Sequence, residues 1–160
     1  MDMETRLAEL ENRIEELEDE RAIRELLARY GYNADAGRND AYVELYTEDG
    51  AIDLSIGNGR FVRCSGKSEL REFIGKVISY SGNIMHVQGN NVVSYISKNR
   101  AIVNSYSLIL TAYEEDVRIS SAGNNQWIFH KFSGKWFLKE RRSRRLGEEE
   151  FKENIDRTPC

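Results

Sequence analysis

Three residues could share one proton-transfer reaction. Asp35 and His86 can form a carboxylate-imidazole pair, and Tyr30 carries a phenol able to polarise a substrate oxygen. A carboxylate that orients an imidazole makes a general base suited to neutral pH, and a hydroxyl donor can steady the charge that develops. Each has a plain structural reading as well. A histidine within a strand is often simply hydrogen-bonded, an aspartate near a helix end forms turns, and a tyrosine fills cores. Their separation along the chain leaves the meeting undecided. On an unbroken helix, five positions at about 100° each set Tyr30 and Asp35 roughly 140° apart. Sharing a cavity then requires the helix to end or bend near Gly31.

Other chemistries find less support. The segment Cys64-Ser65-Gly66-Lys67-Ser68 lacks the earlier glycine of a phosphate loop, because Phe61 stands there, and Ser65 reads better as a helix cap followed by Glu69. Metal binding wants clustered His, Cys or carboxylates, yet His86 and His130 lie far apart and outside any ligand motif. No metal and no cofactor is expected. Arg141, Arg142, Arg144 and Arg145 form one basic cluster, read as a strand alternating its faces rather than a nucleic-acid contact.

Composition agrees. The chain has 160 residues, with 23 Lys and Arg against 27 Asp and Glu, for a net charge of −4. That balance gives no pull towards nucleic acid or an anionic membrane. Apolar types at 40% can build one domain core, so residues 1–160 are expected to form a single domain. No run approaches the ~20 apolar residues that span a bilayer. The acidic opening residues lack the pattern of a secretory signal, and Cys64 and Cys160 are too few for a disulfide framework. A reduced, cytoplasmic protein is the expectation.

The elements that must position the three groups can be read in order. Residues 5–30 form a long helix whose first part, within a helical arm over 1–19, shows a narrow stripe of Leu7, Leu10, Ile14 and Leu17. Residues 4–17 are expected to pack on a neighbouring subunit, and Ala22 onward to begin the core. Gly37 reads as a helix stop, and Asp40 as the cap of a short helix reaching Tyr46. Alternating runs at 51–56 and 60–64 flank Gly57-Asn58-Gly59, a hairpin signal. A helix over 67–78 carries Leu70, Phe73, Ile74 and Val77 on one face. After Gly82 come strands at 84–97, 101–113, 122–132 and 136–145, uninterrupted by the single proline, Pro159. His86 shares its strand face with Ile84, Gln88 and Asn90. Residues 147–160 read as a tail. The layout is α+β, with helices on one face of a mostly antiparallel sheet.

The segment from Ala22 to Tyr30, Asp35, the run Tyr46-Thr47-Glu48-Asp49-Gly50, Met85-His86-Val87 and Gly134-Lys135-Trp136 together resemble the SnoaL-like branch of the nuclear transport factor 2-like superfamily. The resemblance implies a cystatin-like cone, a curved sheet around three or four helices enclosing a deep apolar pocket. It also implies dimers or trimers that work without metal or organic cofactor. The bile-acid 7α-dehydratase pattern is similar in its heptad-like arm and in the spacing of Tyr30, Asp35 and His86. By that similarity Asp35 and His86 form a catalytic dyad and Tyr30 is an acid or hydrogen-bond donor. Tyr46, Phe73, Asn125 and Trp127 are pocket candidates. The expected activity is a lyase acting on a hydrophobic, oxygenated, ring-containing small molecule, by loss of water or retro-aldol loss of formaldehyde. An isomerase or cyclase, or a non-catalytic binding module, are the alternatives. The chain departs from the dehydratase pattern at Ser107, Leu108, Ile109 and Asn125, which leaves the leaving group open.

Overall fold

The computed structural model describes residues 2–78, 83–156 and 158, with the side chains of Ile78 and Ile96 left aside. The Gly82 boundary, Pro159 and Cys160 lie outside the described residues.

Helix α1 runs unbroken over Met3–Asp35, capped at its start by the Asp2 side chain. Arm and core helix are therefore one element, and it does not end at Gly31. Ile23, Leu27, Tyr30 and Ala34 bury one face, whereas residues 2–18 are exposed. Gly37 follows the helix with a positive φ of 66°, as a stop should. Helix α2 covers only Asn39–Val43, and Tyr46 already opens strand β1 (Tyr46–Gly57). The short helix ends early because Tyr46 pairs in parallel with Leu138. A backbone ladder there outweighs continued helical bonding.

Strand β2 (Arg60–Ser65) returns from β1 through Asn58 and Gly59, both at positive φ, the conformation a two-residue hairpin of this hand requires. Helix α3 (Lys67–Ile78) follows, then β3 (Ile84–Ser97), β4 (Arg100–Tyr113), β5 (Asp116–Phe132), β6 (Lys135–Arg145) and helix α4 (Glu149–Asp156) within the tail segment. Strand β5 starts six residues before the expected position at 122. Its first stretch, 116–120, is exposed throughout, so no burial alternation marks it.

The six strands lie in the order β2-β1-β6-β5-β4-β3, antiparallel except for β1 beside β6. The sheet curves around the helices in an α+β cone. Its core joins Ile23, Leu27 and Tyr30 of α1 and Leu70 and Ile74 of α3 to Val103, Trp127, Phe129 and Leu138 of the sheet. Edge strand β3 runs along α1 and carries His86. No described helix is long and apolar enough to cross a membrane.

Candidate active site

Tyr30 and Asp35 both reach the neighbourhood of His86 although they leave α1 in different directions. The reason is Gly31, which lies between them on the helix surface. A Cβ added there would meet the His86 carbonyl oxygen at 3.6 Å and the His86 Cβ at 3.9 Å. A residue no larger than alanine at this position lets β3 cross close to the helix backbone. Asp35 then receives His86 twice. The His86 backbone N–H donates to both carboxylate oxygens at 3.1 Å, and Nδ1 stands 2.6 Å from Oδ1. On the other side the Tyr30 and His86 rings meet edge to face, their centres 6.2 Å apart.

Burial pushes the His86 pKa below its ordinary value; the Asp35 hydrogen bond opposes this, and the Arg141 charge adds to the lowering. The imidazole is thus neutral at pH 7. A neutral ring that gives its Nδ1 proton to Asp35 keeps the Nε2 lone pair free to act as a base. The pair is only partly covered, with side-chain exposures of 16% for His86 and 22% for Asp35.

A polar row crosses the inner face of the sheet beside this pair. The Asn125 amide donates to Gln88 Oε1 at 2.8 Å, the Ser105 hydroxyl donates to the same oxygen at 3.3 Å, and Trp127 Nε1 donates to Ser105 Oγ at 2.9 Å. Arg141 Nε donates to Asn125 Oδ1 at 3.2 Å, and its Nη1 donates to the Tyr30 hydroxyl. The guanidinium is buried over the rings of Tyr30 and Trp127, 5.0 and 5.3 Å from their centres. Among the described residues no carboxylate pairs with it. A buried cation held only by neutral oxygens and ring faces remains available to an anionic group. Tyr42 and Tyr46 extend the cluster, their hydroxyls 3.3 Å apart, and burial raises both phenols so that they stay neutral.

Two openings reach this row. A cleft of about 330 Å³ between α1 and β3 is lined by Arg24, Gly31, Asp35, His86, Gln88 and Asn91. A cavity of about 250 Å³ lies under α4 and is lined by Ser105, Asn125, Asn104, Asn124 and Asn154. Between them the centre of the cone is filled by Tyr30, Tyr42, Tyr46 and Trp127, so the interior is more polar and more divided than the resemblance implies.

The structure therefore brings Tyr30, Asp35, His86, Asn125 and Trp127 together and joins Tyr46 through Tyr42. Phe73 sits on α3 against the core, and it, Tyr30, Tyr46 and Trp127 line neither opening, the last three being fully buried behind them. Asn90 leaves the His86 face because the β3–β4 register shifts between Gly89 and Val92, with Asn90 at a positive φ of 53°. Arg141 is the main residue that sequence reading left out. Of its neighbours, exposed Arg142 pairs with Glu140, and largely covered Arg144 grips Asp53. No group of three or more described His, Cys, Asp or Glu residues is placed to hold a metal ion. Cys64 is free and half-buried.

Residues 15–142 match the SnoaL-like domain family. The chain belongs to it. Among solved structures, this SnoaL-like chain is similar to an NTF2-like protein with a cystatin-like fold from Novosphingobium aromaticivorans. That protein is 26% identical with a TM-score of 0.82, over 93% of this chain and 96% of that one. A candidate scytalone dehydratase from the same organism is 20% identical, TM-score 0.69, over 82% and 87%. ActVI-ORFA from Streptomyces coelicolor is 14% identical, TM-score 0.68, over 79% and 96%. The two latter likenesses concern the fold. No curated protein matches the sequence.

Proposed function

We propose that this SnoaL-like chain is a lyase acting on an oxygenated, ring-containing small molecule, with His86 as general base. The observation that carries this reading is the 2.6 Å contact of His86 Nδ1 with Asp35 beside a Tyr30 hydroxyl held by Arg141. Nε2 removes a proton from the carbon next to a ring carbonyl, and Asp35 stabilises the imidazolium formed. Tyr30, polarised by the Arg141 cation, hydrogen-bonds the carbonyl oxygen as it gains charge. Electrons then return to expel a hydroxyl group from the adjacent carbon, and the imidazolium proton leaves with it as water. Base help of this kind contributes about 10²–10⁴ in rate. Starting instead at a hydroxyl proton, the same base drives a retro-aldol loss of formaldehyde.

The substrate enters through the cleft at Asp35 and His86, with Gln88 and Asn125 as polar contacts. The second reading is a non-catalytic binding module, favoured by the aromatic side chains that fill the centre of the cone. One experiment separates them. A panel of hydroxylated ring ketones is incubated with the protein and with Asp35→Asn, His86→Gln and Tyr30→Phe variants, and products are read by mass spectrometry. Loss of water or formaldehyde by the wild type, abolished in His86→Gln, supports the lyase. Turnover that survives His86→Gln overturns His86 as the base, a product of unchanged mass makes the chain an isomerase or cyclase, and binding without turnover makes it a binding module.

A further inference from the structure

Met3, Leu7, Leu10, Ile14 and Leu17 follow one another at spacings of four, three, four and three, and all five are exposed. The other side of α1 is fastened to the domain. Lys131 bridges to Glu15 and Asp19, Trp136 Nε1 donates to Asp19 Oδ1 at 2.8 Å, and the Tyr95 hydroxyl donates to the Glu16 carbonyl at 3.5 Å. At about 100° per residue, the fastened side lies nearly opposite the apolar stripe. The stripe consequently faces away from its own domain, and the fold leaves it for another molecule to cover.

The charges beside the stripe say which molecule. Leu7 and Ile14 occupy the a positions of a heptad, and Met3, Leu10 and Leu17 the d positions. Arg6 and Arg13 then fall at g, and Glu4, Glu11 and Glu18 at e. In a parallel pair of helices, g of one faces e five residues on in the other. Arg6 then meets Glu11 of a second copy, and Arg13 meets Glu18. An antiparallel pair would set arginine against arginine and glutamate against glutamate. Arg21 takes the next a position and ends the seam.

We infer that residues 3–17 of α1 are a docking surface for a second copy of this chain, whose arm lies parallel and in register. The contact spans only two heptads, about 22 Å. It is sufficient because the arm continues a helix already nucleated and anchored by the domain, which removes the main cost of forming a short helix. The cleft residues Arg24, Ala28, Gly31 and Asp35 lie within about 80° of the seam direction on the same helix, about 10 Å and more beyond its end.

The test uses the full chain, with association followed by sedimentation over a concentration series and folding checked by circular dichroism. Arg13→Glu and Glu18→Arg each place like charges across the seam and should weaken association about tenfold. The double variant restores opposite charges and should recover it. In a Cys64→Ser, Cys160→Ser background, Met3→Cys should cross-link under mild oxidation, since residue 3 meets residue 3 in a parallel pair in register. A monomeric wild type, single variants that associate unchanged, a double variant as weak as the singles, or a Met3→Cys variant that fails to cross-link each overturn the inference. The exposed apolar residues of the outer sheet face, including Met85, Tyr106 and Ile119, would then be the first place to look for an interface.

Discussion

Removing the Asp35 carboxylate tests the local structure of the candidate site without needing a substrate. Asp35→Ala leaves two donors at His86, the backbone N–H and the Nδ1 proton, without their acceptor. A buried donor deprived of its partner costs about 1–3 kcal/mol. Water entering the cleft relieves part of this, because both side chains are partly exposed, so the lower end applies and the sum is about 2–3 kcal/mol. For a chain of this length each kcal/mol moves the melting midpoint by about 2–4 °C, which gives a fall of about 4–12 °C. Asp35→Asn keeps one carbonyl acceptor and should lose roughly half as much. Urea unfolding of Asp35→Ala, His86→Ala and the double variant closes a cycle. The double variant should lose less than the sum of the singles, yet Asp35→Ala should still cost stability in the His86→Ala background, because the backbone N–H remains there. A loss below about 0.5 kcal/mol for Asp35→Ala, or strict additivity in the cycle, refutes the argued role of this contact.

Three further outcomes follow from the same geometry. Burial depresses the His86 pKa, so as pH falls below the ordinary 6.5 the unfolded chain takes up a proton first, and stability declines until the folded ring is protonated too. His130 is lowered in the same direction, again by burial, so the His86 share is read as the difference in urea midpoints between wild type and His86→Gln from pH 7.5 to 5; Asp35→Asn should carry the decline to lower pH. Arg141→Met removes a buried cation without a carboxylate partner. Folding stability should change by no more than about 1.5 kcal/mol, whereas any turnover should fall by about 10²–10³ as Tyr30 loses its donor, measured by steady-state kinetics. At Gly31, alanine makes only ordinary contact with His86 and should be neutral or stabilise by up to about 1 kcal/mol, while valine should push β3 away and destabilise by more than about 2 kcal/mol in urea unfolding.

Much of the cone was legible because its signals are local. The Asn58-Gly59 turn, the buried face of α3 and the alternation along β3 each reflect chemistry within a few residues, and His86 and Gln88 do share one face. What escaped was set by pairing between distant segments. Tyr46 entered a strand because Leu138 pairs with it in parallel, which no nearby residue announces. Tyr30 and Asp35 reached one site on a continuous helix because Gly31 admits another strand's backbone, an approach visible only once β3 is in place. Arg141 was hidden by a bulge. Trp136 and Leu138 face inward, so strict alternation assigns Glu140 the next inward place and Arg141 the outer surface. The extra residue, Lys139, between the pairs Phe129–Leu138 and Ile128–Glu140 shifts the phase and buries Arg141 instead.

That bulge, which leaves Lys139 outside the ladder, decides which charge enters the cone. Without it the same letters would aim an anion at the tyrosines and the imidazole, and a substrate whose oxygen gains negative charge would be repelled rather than held. Deleting Lys139 would leave Arg141 opposite Trp127 and still inward, so only a regular pairing that keeps Lys139 in the ladder exchanges an attraction for anions for one towards cations.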